Sequence, residues 1–169
     1  MTFVMVPKVN LPSSSETGVK ISDFLSPAHV MLDVRASDKD SLLHELSALA
    51  AAALGLDAVA VSNQIAKREE LGSTGVGNGV ALPHARLKSL KAPFGLLARL
   101  RRPIDFAAID DKPVDIVFLL LLPDAADSAQ LNALACVARM LREKDVLRSV
   151  HGATDVSSHF GALARDGAH

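Results

Sequence analysis

The sequence predicts a single-domain α/β sandwich built on a central sheet, and three observations carry that reading. Apolar residues make up 49% of 169, enough for one sizeable core. The run Ile116 to Leu122 is continuously apolar and ends at Pro123, which reads as a strand buried on both faces. Segments of helical spacing are interleaved with extended ones, the order that places helices against a sheet, and no internal repeat competes with it.

Residues 1–20 include Pro12-Ser13-Ser14-Ser15-Glu16-Thr17-Gly18 and lack sustained periodicity, so they read as a flexible tail before a domain spanning 21–165. Val30 to Arg35 alternates as a strand. Ser37 and Asp40 approximate a capping box for a helix in which Leu42, Leu46, Leu49 and Ala53 share one face and Gly55 is the C-cap. A second helix is expected from Ala58 to Leu71, with Ile65 buried, Arg68 in its last turn and Gly72 ending it. Val80-Ala81-Leu82 reads as a short strand stopped by Pro83, and Phe94 to Leu100 as another strand. From Ser128 to Arg142, Leu131, Leu134, Val137 or Ala138, and Leu141 recur at helical spacing, with Asp127 or Ser128 as cap. Asp145 to Val150 reads as a short helix. Thr154-Asp155 caps a last one burying Val156, Phe160 and Leu163, and residues 166–169 read as a frayed end.

A formal net charge of −1 with no basic stripe argues against nucleic acid as partner. The longest apolar runs, Ala48 to Leu54 and Ile116 to Leu122, fall far short of the roughly 20 residues that span a bilayer, so no membrane insertion is expected. A single cysteine excludes an internal disulfide framework, and no charged start with an apolar core marks a secretion signal; the expected compartment is the cytoplasm.

The stretch Gly72 to Arg86, GSTGVGNGVALPHAR, is where chemistry is expected. Gly72, Gly75, Gly77 and Gly79 are too dense for a helix or central strand and suit a backbone nest of N–H groups for an anion, phosphate above all. Ser73 and Thr74 add hydroxyl donors, and Pro83 delivers His84 at a strand end, where a neutral imidazole can attack a phosphoryl group or bind a metal. The same residues also fit a plain hairpin turn and a structural histidine, and spacing alone does not separate the two. The P-loop and dinucleotide patterns are not met. A Ser73–His84–Asp triad is disfavoured by the lack of a GxSxG elbow. His29, His44, His151, His159 and His169 have no zinc spacing and read as solvated or structural, and Cys136, inside an apolar run, as a buried inert thiol. No metal or other cofactor is expected. Arg68 and Arg86 flank the loop and suit a phosphorylated imidazole, whereas Arg101 and Arg102 read as solvated.

The ordered run from Asn63 through Lys67-Arg68-Glu69-Glu70-Leu71-Gly72-Ser73-Thr74-Gly75 to Gly79-Val80-Ala81-Leu82-Pro83-His84 resembles the signature of IIA domains of the phosphoenolpyruvate phosphotransferase system, fructose/mannitol/nitrogen-regulatory class. The similarity extends from about Ile21 to Arg165. It implies a mixed central sheet with helices on both faces, His84 as acceptor of a phosphoryl group from a histidine phosphocarrier protein, and Arg68 as phosphate partner. The GSTG and GNG wording is most like the nitrogen-regulatory members, which implies regulation of target proteins by phosphorylation state. The alternatives are a sugar-transport IIA passing phosphate to a IIB cysteine and an interaction module with weakened transfer. Two residues depart from the family pattern. Ala85 stands where many members have glycine, and Gln130 where many have a second histidine that assists the first; Gln130 donates a hydrogen bond but cannot become cationic.

Overall fold

A computed structural model of the chain describes residues 20–124, 128–157 and 161, with 128–130 described by backbone alone. The expected tail before residue 20, the Asp127 cap, Phe160, Leu163, His159, His169 and the frayed end lie outside the described residues.

In chain order the elements are β1 (Val30–Val34), α1 (Lys39–Leu54), α2 (Ala58–Glu70), β2 (Gly75–Gly77), β3 (Val80–Ala81), β4 (His84–Leu87), β5 (Phe94–Ile104), β6 (Val114–Pro123), α3 (Ser128–Met140) and α4 (Lys144–Gly152). The sheet runs β1-β5-β6-β3-β2, with β4 also on β6. It is mixed: β1 is parallel to β5, β5 antiparallel to β6, β3 and β4 parallel to β6, and β2 antiparallel to β3.

β6 explains the layering. Its side chains alternate between faces, as a strand's must. Val117, Leu119 and Leu121 enter a core with α1 and α2, while Ile116, Phe118, Leu120 and Leu122 enter a second core with α3, α4 and the 3-10 turn Ile21–Asp23. The mixed sheet therefore carries helices on both faces, as expected. Among the described residues no helix is long and apolar enough to cross a membrane.

Two helices are rotated relative to the sequence reading. In α1 the buried stripe is Leu42, Leu43, Leu46, Ala50 and Ala51, leaving Leu49 40% exposed and Ala53 at the surface. In α3 the buried residues are Ala133, Cys136, Val137 and Met140, and Leu131 is 62% exposed. Leu42, Leu46, Val137 and Leu141 are buried as expected, while Ala50 and Ala51 in α1 and Ala133 in α3 are buried where Leu49 and Leu131 were expected to be. The cap of α1 is Asp38, whose carboxylate accepts from the Ser41 N–H at 2.8 Å, rather than a Ser37 box; Gly55 closes the helix at φ 69° as expected. His151 lies inside α4, with Nε2 3.1 Å from the Asp115 carboxylate. Val156 packs against the second core from the first turn after Asp155.

Two strands were absent from the sequence reading, β2 and β4. β3 and β4 hold one register on β6: Val80 and Ala81 face Ile116 and Val117, and His84 and Ala85 face Leu120 and Leu121. The strand is interrupted at Leu82-Pro83, as expected, but resumes in the same register at His84. Pro83 withholds a donor, but its carbonyl still accepts from the Leu120 N–H at 2.9 Å.

Candidate functional site

His84 opens β4, half-buried, with Ala85 and Leu87 pointing into the core and Arg86 outward. Its ring is fixed at both nitrogens. Nδ1 lies 2.9 Å from the Leu82 carbonyl, and Nε2 lies 3.3 Å from Arg68 Nε. A carbonyl can only accept and a guanidinium can only donate, so the proton sits on Nδ1 and the lone pair on Nε2. Burial holds the His84 pKa below its ordinary 6.5, and the positive charges of Arg68 and Arg86 push the same way, against the Leu82 carbonyl and Glu69. The ring is therefore neutral at neutral pH, with a nucleophilic nitrogen beside a guanidinium.

Arg68 reaches this position because it occupies the last turn of α2, where its Nη1 also donates to the Gly72 carbonyl at 2.8 Å. Its neighbour Glu69 turns the other way and ties the segment down. One Glu69 oxygen accepts from the Thr74 N–H at 3.2 Å and from Lys39 Nζ at 2.8 Å, and the other accepts from the Thr74 hydroxyl. Sequence reasoning gave the phosphate role to Arg68 but no task to Glu69. The Leu82 carbonyl was missed too, because a backbone acceptor leaves no mark in a sequence.

The glycines do not build the expected nest. Gly77, Asn78 and Gly79 have φ of 104°, 58° and 80° and make the tight β2–β3 turn. That turn is docked on a later segment: the Gly79 carbonyl accepts from the N–H groups of Asp115 and Ile116, and the Asn78 N–H donates to Asp110 at 3.0 Å. Gly75 is required by proximity, since a Cβ there would sit 2.7 Å from the Ala108 Cβ. Neither hydroxyl of the loop serves the imidazole. Ser73 donates to the Phe106 carbonyl at 2.7 Å and Thr74, 3% exposed, is committed to Glu69. Gly72 contributes its carbonyl to Arg68, and Ser73, Thr74, Gly75, Gly77 and Gly79 do not line the cleft at His84.

That cleft, about 920 Å³, is lined by Asn63, Gln64, Lys67 and Arg68 of α2, by Leu71 just beyond its end, by His84 to Ser89, by Asp124, and by Leu131 and Leu134 of α3. Arg86 is brought to the site, and Arg101 and Arg102 are not. Gln130 is placed by its backbone in the first turn of α3, one residue before Leu131. Ala85 carries no strain, because it is absent from the left-handed region and its methyl is buried in the core beneath α1 and α2. Cys136 is 5% exposed, and burial pushes its thiol pKa up, away from the reactive thiolate. The His29 ring rests against Phe94 at 4.7 Å.

Residues 23–164 match the model of the family described as "Phosphoenolpyruvate-dependent sugar phosphotransferase system, EIIA 2". The chain is 42% identical over 144 residues to a nitrogen regulatory protein of Bradyrhizobium diazoefficiens, covering 85% of this chain and 94% of that one. The crystal structure of nitrogen regulatory protein IIA-Ntr from Neisseria meningitidis superposes with a TM-score of 0.80 at 33% identity, covering 85% of this chain and 98% of that chain. The fold is shared more widely, as the IIA mannitol structure from Escherichia coli, 18% identical, reaches 0.66 over 83% of this chain and 99% of that chain. With a match running from the first 3-10 turn to beyond the last described residue, the chain belongs to the EIIA 2 family of the phosphoenolpyruvate-dependent phosphotransferase system.

Proposed function

We propose that this is a nitrogen-regulatory IIA protein that accepts a phosphoryl group on His84 Nε2 from a histidine phosphocarrier and signals to target proteins through its phosphorylation state. One observation carries the site assignment. The Leu82 carbonyl holds the proton on Nδ1, so Nε2 presents its lone pair to the cleft.

In the transfer, the Nε2 lone pair attacks phosphorus in line, the donor's N–P bond breaks, and its electron pair returns to the donor imidazole. The Nδ1–H stays on the Leu82 carbonyl and shares the positive charge that grows on the ring. Arg68 lies on the attacking nitrogen at rest, so its Nε–H swings from Nε2 to a phosphoryl oxygen as the bond forms. Arg86, two residues along the same strand face, supplies a second cation. The product carries about −1.5 to −2 added charge in a basic cleft, enough to change which protein surface docks there.

Incubation with phosphoenolpyruvate, the first enzyme of the phosphotransferase chain and the carrier is expected to add one acid-labile phosphoryl group by intact mass. His84→Ala is expected to remain unlabelled, and equal labelling of that variant defeats the assignment. Onward transfer to a IIB cysteine would instead favour the sugar-transport reading.

A further inference from the structure

On the molecule's β1 edge, away from the residues of the His84 cleft, three exposed arginines line a second hollow. It has a volume of about 480 Å³ and is lined by Arg35, Ala36, Ser37, Arg101 and Arg102. The juxtaposition follows from the sheet. Val34, the last residue of β1, pairs with Leu100 of β5 in a parallel register, so Arg35 just beyond β1 and Arg101 of β5 follow this pair in the chain. Like charges side by side on a sheet repel. No acid is seen to offset them: among the described residues, the side chains of Arg35, Arg101 and Arg102 make no ion pair or hydrogen bond. Arg99, just before them, does the opposite, donating to the carbonyls of Val150, His151 and Ala153. The acids adjacent in sequence face elsewhere, with Asp33 4.0 Å from Arg99, Asp38 on the Ser41 N–H and Asp105 on the Ala107 N–H.

We propose that this hollow binds a small ligand bearing a diphosphate group. Three unpartnered forks present paired N–H donors to oxygen anions, and the Ser37 hydroxyl adds a further donor at the rim. A single phosphate, at about −1.5 to −2, leaves part of this charge unbalanced, whereas two linked phosphates match three guanidiniums. The volume suits a small molecule rather than a long polyanion, because it falls within the range of about 300–1,000 Å³ typical of ligand sites.

The test is calorimetric titration of the full chain with sodium pyrophosphate, with sodium sulfate at matched ionic strength as control and amide NMR shifts to locate binding. The expected result is saturable binding with a dissociation constant below about 1 mM and shifts at residues 35–37 and 101–102. An R101A/R102A variant, whose side chains are exposed, should melt like the parent and bind about tenfold more weakly. Shifts confined to the His84 cleft, equal binding of sulfate, or unchanged affinity in the double variant would each overturn the proposal. So would binding of a short RNA without binding of pyrophosphate.

Discussion

Replacing Glu69 by alanine takes away the carboxylate that Thr74 and Lys39 share. The Glu69 side chain is only 8% exposed and Thr74 is 3% exposed, so water does not freely replace it. Two Thr74 donors, the backbone N–H and the hydroxyl, lose their acceptor, and each orphaned buried donor costs about 1–3 kcal/mol. Lys39 loses less. Its side chain is 21% exposed, and its ammonium keeps the Phe106 carbonyl at 3.4 Å and sits 4.7 Å over the Phe106 ring, so the lost ion pair is worth about 0.5–1 kcal/mol. The sum predicts a destabilisation of about 2.5–7 kcal/mol, or about 5–28 °C in Tm for a domain of this size. Glu69→Gln retains an oxygen for Thr74 and is expected to cost only about 1 kcal/mol. Adding Thr74→Val to Glu69→Ala removes one orphaned donor, so the double variant should recover about 1 kcal/mol relative to simple additivity. Urea unfolding followed by circular dichroism measures all three. A Glu69→Ala cost under about 1 kcal/mol, or a Gln variant as unstable as the Ala variant, refutes the reasoning, since Thr74 would then not depend on that oxygen.

Further outcomes are expected. The folded state disfavours His84 protonation, so this group's stabilising contribution is complete above its ordinary pKa of 6.5 and is lost as pH falls through that value towards its lower folded one; urea midpoints of wild type and His84→Gln across this window should diverge, and parallel curves would contradict it. Gly75→Ala would place a methyl 2.7 Å from the Ala108 Cβ and 2.8 Å from its Cα, so a loss of about 1–3 kcal/mol is expected in thermal melts, and an unchanged Tm would show that the hairpin yields freely. Leu71 and Leu131 are 85% and 62% exposed at the cleft, so changing both to alanine should move stability by less than about 0.5 kcal/mol each while slowing labelling at low phosphocarrier concentration. Labelling rates equal to wild type across carrier concentrations would remove these leucines from the docking face.

What the sequence made legible were features with a single physical solution. Ile116 to Leu122 had to be an inner strand because nothing in it tolerates water, and His84 and Arg68 stood out by their place around a glycine-dense loop. Helix faces were harder. Counting leucines favoured Leu49 and Leu131, whereas close packing went to Ala50, Ala51 and Ala133, whose small side chains offer little hydrophobic signal. Pro83 looked like a strand end because one missing donor is visible in a sequence, while the carbonyl that keeps the ladder in step is not. In sequence the loop hydroxyls suit an anion, yet their partners are a nearby carboxylate at Glu69 and a carbonyl 33 residues away at Phe106, a choice only the tertiary structure makes.

The strand pair β2–β3 reaches Leu82 with its N–H, which donates to the Thr74 carbonyl, and the Leu82 carbonyl on that edge takes the imidazole as its partner. The group that chooses which nitrogen of His84 reacts is thus common to every amino acid. Position 82 can drift among apolar side chains without altering the tautomer, and the orientation of the nucleophile is shielded from most point mutations. Its vulnerability lies instead in insertions, deletions or substitutions that shift the backbone between Thr74 and His84.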